Sequence, residues 1–365
     1  MSAACGGCLR RAHLLGFLAP WIADRMVNRE PLTASLLGLP EEDLIAAAVP
    51  RQAQRAYDFL HNFDLEAARE RLAQAGVEGI CSHSPSYPKL LESLHDPPAM
   101  LFTTAPLDRL ATLAGEPTVA IVGARRCSGY AREVAYELGR SLGAAGVTVV
   151  SGLALGIDAE AHRGAVDARG GAIAVLAGGP DVPYPRTNRA LYERIRREGA
   201  IVSELPPGVR PFKWGFPARN RIMAGLARVT VIVEAAERSG SLITAEFASD
   251  LGREVAAVPG RVTARMAAGS NRLLQEGAPV VRGAEDVLDM LFGVGFRPPR
   301  PSVTESLDEE LRAILDAVEG GETLEAMSHT ASLTAADVRA ALGRLELLGL
   351  VVREGVGTYR RTARA

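Results

Sequence analysis

Val119-Ala120-Ile121-Val122-Gly123-Ala124-Arg125-Arg126-Cys127-Ser128-Gly129 sets a short, wholly apolar run against a glycine-bearing loop. The run does not alternate apolar with polar residues, so it suits a strand buried on both faces. Five more runs of the same texture follow, Val147 to Val150, Ile173 to Leu176, Ala200 to Val202, Val229 to Glu234 and Val255 to Val258, with glycine-rich turns and helical stretches between them. Strands of this kind, separated by helices, predict an α/β fold: a Rossmann-like doubly wound parallel sheet with its ligands at the carboxyl ends of the strands.

Outward from that sheet the texture changes. Short apolar helical patterns alternate with loops from Leu32 to Val77, which predicts a small helical domain over residues 1–85. Tyr87-Pro88-Lys89-Leu90-Leu91 and Asp96-Pro97-Pro98 read as an extended connector opening the Rossmann-like domain, 86–292. A Gly/Pro/Arg-rich linker (293–303) leads to helices over Glu305 to Val318, Thr323 to His329 and Thr334 to Leu348, then a hairpin from Leu350 to Tyr359. Three helices and a hairpin give the pattern of a winged helix over 304–365. Its third helix offers only Arg339 and Arg344 and this tail is net acidic, so a protein-contacting module fits at least as well as a duplex reader.

The chain has 365 residues, with 41 basic against 43 acidic side chains and a net charge of −2. This excludes a uniformly basic nucleic-acid coat, so any DNA or RNA contact must come from a local patch. The stretch from Pro117 to Phe292 carries a modest positive excess that fits one. Four cysteines, Cys5, Cys8, Cys81 and Cys127, are too few for a disulfide framework and point to a reducing cytosol. Cys5-Gly-Gly-Cys8 has metal or redox spacing, and Cys81-Ser-His83 would complete a four-ligand zinc set. A CxxC pair by itself at an N-terminus is more often incidental, and no metal is assigned here. Arg10-Arg11 followed by Leu14 to Ala23 faintly resembles a signal peptide, but His13 and Pro20 interrupt it and it is too short to span a bilayer. It reads as a buried helix, with no membrane partner.

The loops after the strands carry the chemistry. A dinucleotide fingerprint would need glycines at 125 and 128, where Arg and Ser stand, so Gly123 opens a loop ill suited to NAD or FAD. Arg125 beside a helix start suits a phosphate or a base face, or else pairs with a carboxylate at the sheet edge. In Ser151-Gly152-Leu153-Ala154-Leu155-Gly156-Ile157-Asp158, Gly152 allows outward-facing amides, and Asp158 lies one helical turn from His162. An acid–base pair is conceivable there, although a structural hydrogen bond is the commoner explanation. Ser239-Gly240-Ser241 makes a third phosphate cradle before a helix. The chain has no GxxxxGK[ST], HExxH or GxSxG run.

Phe212-Lys213-Trp214-Gly215-Phe216-Pro217-Ala218-Arg219-Asn220-Arg221 puts three rings, three cations and an amide into ten residues. Rings stack unpaired bases and cations neutralise the phosphates between them. Phe216 and Trp214 equally suit a core beside a turn, and Arg219 and Arg221 a solvated helix end. Only two of the 41 basic residues are lysines, Lys89 and Lys213, and the second falls inside this run.

Taken together, Ile121-Val122-Gly123-Ala124-Arg125, Ser151 to Asp158 with Ala161-His162, Tyr184-Pro185, Phe216 to Ile222, Glu234-Ala235 with Ser239 to Ala245, and Val258-Pro259-Gly260 closely resemble the DprA/Smf family. The resemblance covers nearly the whole chain, and implies that the helical domain over residues 1–85 is SAM or helix-hairpin-helix-like. It implies a cytoplasmic, non-enzymatic protein that binds and shields single-stranded DNA during natural transformation, helps to load the RecA recombinase, and forms a homodimer through the Rossmann-like domain. It carries strand binding onto Arg125, Lys213 and Phe216. The family usually has Thr or Ser before that arginine, where this chain has Ala124. The expected DNA site comprises Arg125, Lys213, Arg219 and Arg221 on phosphates, Phe216 on a base, Asn220, and the loops of Gly123, Gly152, Gly240 and Ser241, with no cofactor. The alternative is a Rossmann-like hydrolase of nucleoside monophosphates using Glu246 or Asp158. Arg238-Ser239-Gly240-Ser241-Leu242-Ile243-Thr244 stands where that group carries a Pro-Gly-Gly-x-Gly-Thr run.

Overall fold

The chain enters through helices α1 (Gly6–Met26), α2 (Glu41–Ala48), α3 (Ala53–His61) and α4 (Leu65–Gln74), then two strands, β1 (Glu78–Cys81) and β2 (Met100–Thr103). Helix α5 (Leu107–Gly115) leads into the alternating part: β3 (Thr118–Val122), α6 (Gly129–Ala144), β4 (Thr148–Ser151), α7 (Ile157–Asp167), β5 (Ala172–Val175) and α8 (Arg189–Glu198). It continues through β6 (Ala200–Ser203), α9 (Gly215–Leu226), β7 (Val229–Ile232), α10 (Gly240–Asp250), β8 (Glu254–Ala257), α11 (Ala268–Gln275) and α12 (Ala284–Phe292). The computed structural model describes residues 4–26, 36–115, 117–295, 307–320, 323–330, 333–347, 350–355 and 358–361.

The eight strands form one sheet in the order β1-β2-β6-β5-β4-β3-β7-β8. From β3 to β8 all neighbours are parallel, with Val119 of β3 facing Val149 of β4 and Val229 of β7 in register. Every residue of β3 to β7 is buried, as continuous apolar strands between two helix layers must be. β3 is followed in sequence by β4 on one side and flanked on the other by β7, so the strand order reverses there.

Two features depart from the sequence expectation. β1 and β2 are strands that the sequence did not announce, antiparallel to each other and, through β2, to β6. The boundary at 85/86 also fails, because residues Met1–Phe296 form one compact unit. Leu14, Leu18, Ile22 and Leu44 of the N-terminal helices share a core with Leu205, Trp214 and Ala218, while Leu9 and Leu72 pack with Met100 and Phe102 of β2. The helices bury against the sheet edge instead of against one another alone.

α6 and α7 approach closely at two glycines. A Cβ on Gly139 would strike the main chain of Ala161, and one on Gly164 the main chain of Tyr136 and Arg140. That contact fixes the start of α7 beside the end of β4.

The second unit, Arg297–Ala365, is a separate body. Helices α13 (Glu309–Glu319), α14 (Leu324–Thr330) and α15 (Ala335–Leu347) precede an antiparallel pair, β9 (Val351–Gly355) and β10 (Thr358–Arg361). Leu311, Ile314, Leu315, Val338, Leu342, Leu345 and Val351 form its core. α13 begins later than expected because Asp308 caps it, accepting the Leu311 amide at 2.9 Å. Arg344 of the third helix reaches Asp308 at 3.3 Å. The expected linker, 293–303, lies outside the described residues beyond Gly295. No helix among the described residues is long and apolar enough to cross a membrane.

Candidate functional site

The order reversal opens a cleft of ≈ 330 Å³ at the carboxyl ends of the strands, where the loops after β3, β4 and β7 meet the first turns of α9. It is lined by Gly123, Arg125, Asp158, Phe216, Arg219, Asn220, Ser239, Gly240, Ser241 and Thr244, among others. Every expected site residue lines it except Lys213, Gly152 and Arg221.

Phe216 is the centre of the cluster. The Arg125 guanidinium carbon lies 4.8 Å from its ring centroid and that of Arg219 5.5 Å, while the Tyr184 ring stands 5.5 Å away at a tilt of 54°. Cation–ring contacts of this kind stabilise by about 0.5–1 kcal/mol when exposed. Arg125 is exposed and makes no hydrogen bond or ion pair among the described residues, so its donors remain available. Lys213 is likewise exposed, two residues before α9.

Arg219 shares the ring but not the role expected of it. It is 6 % exposed, and its Nη1 donates to the carbonyls of Gly152 and Val175. Burial pushes its pKa down to about 10, opposed by Asp158, so it remains charged at neutral pH. Asp158 accepts the amides of Gly152 and Ala154 at 3.2 and 3.3 Å. Burial raises its pKa, and the Arg219 charge opposes that shift. Gly152 therefore does not cradle a phosphate: its amide is taken by Asp158, and a Cβ there would collide with the Arg219 guanidinium. Arg219 fastens α9 to the ends of β4 and β5 and lends the cleft a fixed positive charge.

Arg221 is corrected outright. At 1 % exposure it is no phosphate contact, since its Nε pairs with Asp96 at 2.9 Å and its Nη2 with Glu204 at 2.7 Å. Trp214 is also core, its indole donating to Ala19 of α1 at 3.0 Å. Of the three rings in that run, only Phe216 reaches the cleft. Asn220 is buried, and its amide donates to the Gly240 carbonyl at 2.9 Å, tying α9 to the third loop.

Two helix N-termini approach the site and differ in what fills them. At α6 the Glu234 carboxylate accepts both the Ser128 amide and its hydroxyl at 2.8 Å, so a carboxylate sits where a dinucleotide would place its pyrophosphate. At α10 the Ser239 hydroxyl contacts Ser241 at 2.8 Å, and Ser239, Gly240 and Ser241 face the cleft with the positive end of the helix behind them. The buried Thr244 hydroxyl, in the second turn, has no partner among the described residues.

Sequence reasoning left Tyr184, Thr244 and Glu234 without roles. Tyr184 carried a signal, an aromatic beside Pro185 in a loop after a buried strand. Glu234 and Thr244 became significant only when the strand order brought them to the site.

A doubly wound sheet with a cationic, aromatic crevice at its switch point, and with the Glu234 carboxylate on the Ser128 amide before α6, defines a Rossmann-like class. Within it, residues 78–292 match the family model described as DNA recombination-mediator protein A, and the chain belongs to that family. Two Mycobacterium tuberculosis relatives are 41% identical over 261 residues, a match spanning 69% of this chain and 66% of theirs, a little under two thirds. DNA processing protein A from Streptococcus pneumoniae superposes with a TM-score of 0.61 at 33% identity, covering 77% of this chain and 95% of that one. DNA processing protein A from Helicobacter pylori, described for its single-stranded DNA binding mode, gives 0.53 at 29% identity, covering 59% of this chain and 95% of that one.

Proposed function

We propose that the chain is a single-stranded DNA-binding recombination mediator that shields incoming DNA and helps to load RecA during natural transformation. The observation that carries this reading is the exposed Arg125 guanidinium poised 4.8 Å over Phe216, beside the positive end of α10. An unpaired strand presents both partners that this arrangement lacks: base faces for Phe216 and Tyr184, and phosphates for Arg125, Lys213 and the Gly240 and Ser241 turn. A duplex keeps its bases stacked inside and offers only phosphates. The single-stranded DNA binding described for the Helicobacter pylori relative supports the same choice. In this reading the protein works in the cytoplasm as a homodimer through the Rossmann-like unit and performs no catalysis.

The hydrolase reading is weakened by its own carboxylates. Glu246 is exposed and does not line the cleft, and Asp158 is already held by two amides. Two assays separate the readings. RecA assembly on single-stranded DNA coated with a single-strand-binding protein should be accelerated by the wild type and much less by Arg125→Ala. No acceleration by the wild type contradicts the loading role, and release of free base from nucleoside monophosphates would revive the enzyme.

A further inference from the structure

Four side chains that the DNA-binding reading leaves unused converge where α1 meets the edge of the sheet. Cys5 immediately precedes α1 and Cys8 lies in its first turn, whereas Cys81 ends β1 and His83 follows in the next turn. Their three sulfurs and one ring nitrogen all lie within 4.8 Å of one another. His83 Nδ1 is 3.6 Å from Cys5 Sγ and 3.3 Å from Cys8 Sγ. A tetrahedral zinc ion with ordinary bond lengths holds its sulfur and nitrogen ligands about 3.6–3.8 Å apart. The two sulfur–nitrogen separations sit at or just inside that spacing, and the remaining pairs need close by no more than about 1 Å.

The surroundings suit metal-bound thiolates. The Cys8 amide points at Cys5 Sγ and the Cys5 amide at Cys81 Sγ, both at 3.5 Å, so main-chain donors already face two of the sulfurs. Three thiolates and an imidazole form a set matched to zinc and unsuited to magnesium or calcium, which prefer oxygen. Four protein ligands leave no open position, which distinguishes a structural ion from a catalytic one.

We propose that Cys5, Cys8, Cys81 and His83 bind a structural zinc ion that staples the N-terminus of α1 to the edge strand β1. β1, which the sequence did not reveal as a strand, and the turn after it bring Cys81 and His83, the pair that the sequence offered to complete a zinc set, up to the CxxC spacing. Leu9 and Ala12 of α1 pack beside Met100 and Phe102 in the same region, so the ion would lock a contact that apolar burial has begun.

The test uses the full chain, purified with reductant and without an affinity tag that binds metal. Elemental analysis should find stoichiometric zinc, and cobalt substitution should give thiolate-to-cobalt charge transfer with the visible bands of a tetrahedral site. Cys5→Ser and His83→Ala alter the two exposed ligands and are expected to leave the circular dichroism native. Each should weaken zinc retention by more than the about 10–100-fold that outer-shell partners contribute. The proposal is overturned if the reduced, folded wild type takes up neither zinc nor cobalt, if both variants retain zinc as the wild type does, or if mass spectrometry finds a disulfide among these cysteines in protein kept from air. Metal content and absorption are the readouts, so the outcome is independent of DNA binding.

Discussion

Removing the Arg221 guanidinium would leave Asp96 and Glu204 facing each other without a cation in a buried site. Breaking a buried pair from one side costs about 3–5 kcal/mol. Arg221→Ala should therefore shift the urea unfolding midpoint strongly while the folded fraction binds single strands nearly as before. Lost binding at unchanged stability would reverse the assignment. Nothing near Arg221 in sequence distinguishes it from Arg125, because its partners lie 125 and 17 residues away. Phe216 and Arg125 were legible because an aromatic among cations, and an arginine in place of a glycine, are odd choices for structure alone. His162 illustrates the opposite limit. Its spacing from Asp158 suggested a pair, yet Asp158 turns to main-chain amides and His162 is fully buried. Burial pushes its pKa down from 6.5 to about 4, so the unfolded chain binds the proton more readily. Stability from this group is complete above pH 6.5 and is lost as pH falls toward 4, by up to about 3 kcal/mol. His162→Leu cannot take up that proton, and its urea midpoint should vary less between pH 7 and pH 4.5 than that of the wild type. Equal pH dependence in the two proteins would contradict a buried, neutral imidazole.

At the scale of elements, the α6–α7 crossing positions the first turn of α7, where Asp158 accepts the amides of the preceding loop. Gly164→Ala would drive a methyl into the Tyr136 carbonyl and to 2.7 Å from the Arg140 amide, two main-chain atoms that cannot turn aside. Overpacking of this kind costs about 1–3 kcal/mol. The expected result is a lower melting temperature together with weaker strand binding, as α7 shifts away from β4. Gly240→Ala, where a Cβ meets nothing within 4 Å, should melt as the wild type does. The six parallel strands were legible because burial on both faces, complete in β3 to β7 and confined to Ala256 and Ala257 in β8, forces continuous apolar runs. β1 and β2 were not: Glu78-Gly79-Ile80-Cys81 is four residues long, contains a glycine and has no β-branched residue but Ile80. Its strand character comes from pairing, with Ile80 opposite Leu101.

Across the whole molecule, a net charge of −2 coexists with a cleft whose charged lining is mostly arginine and whose helix end is positive. Composition could bound the size of such a patch but not locate it, since the strand order decides which loops meet. The same order explains the failed N-terminal boundary: the first helices find their apolar partners on β2 and on the segment before α9. The central claim is that this cleft holds an unpaired strand. Anisotropy titration of a fluorescent single-stranded oligonucleotide and its duplex, with wild type and Arg125→Ala at several salt concentrations, tests it most directly. The account predicts tighter binding of the single strand, a steep salt dependence, and in the variant a weaker affinity with a log–log salt slope shallower by about 0.7. Equal affinity for both oligonucleotides, or a variant that keeps the wild-type affinity and slope, would contradict it.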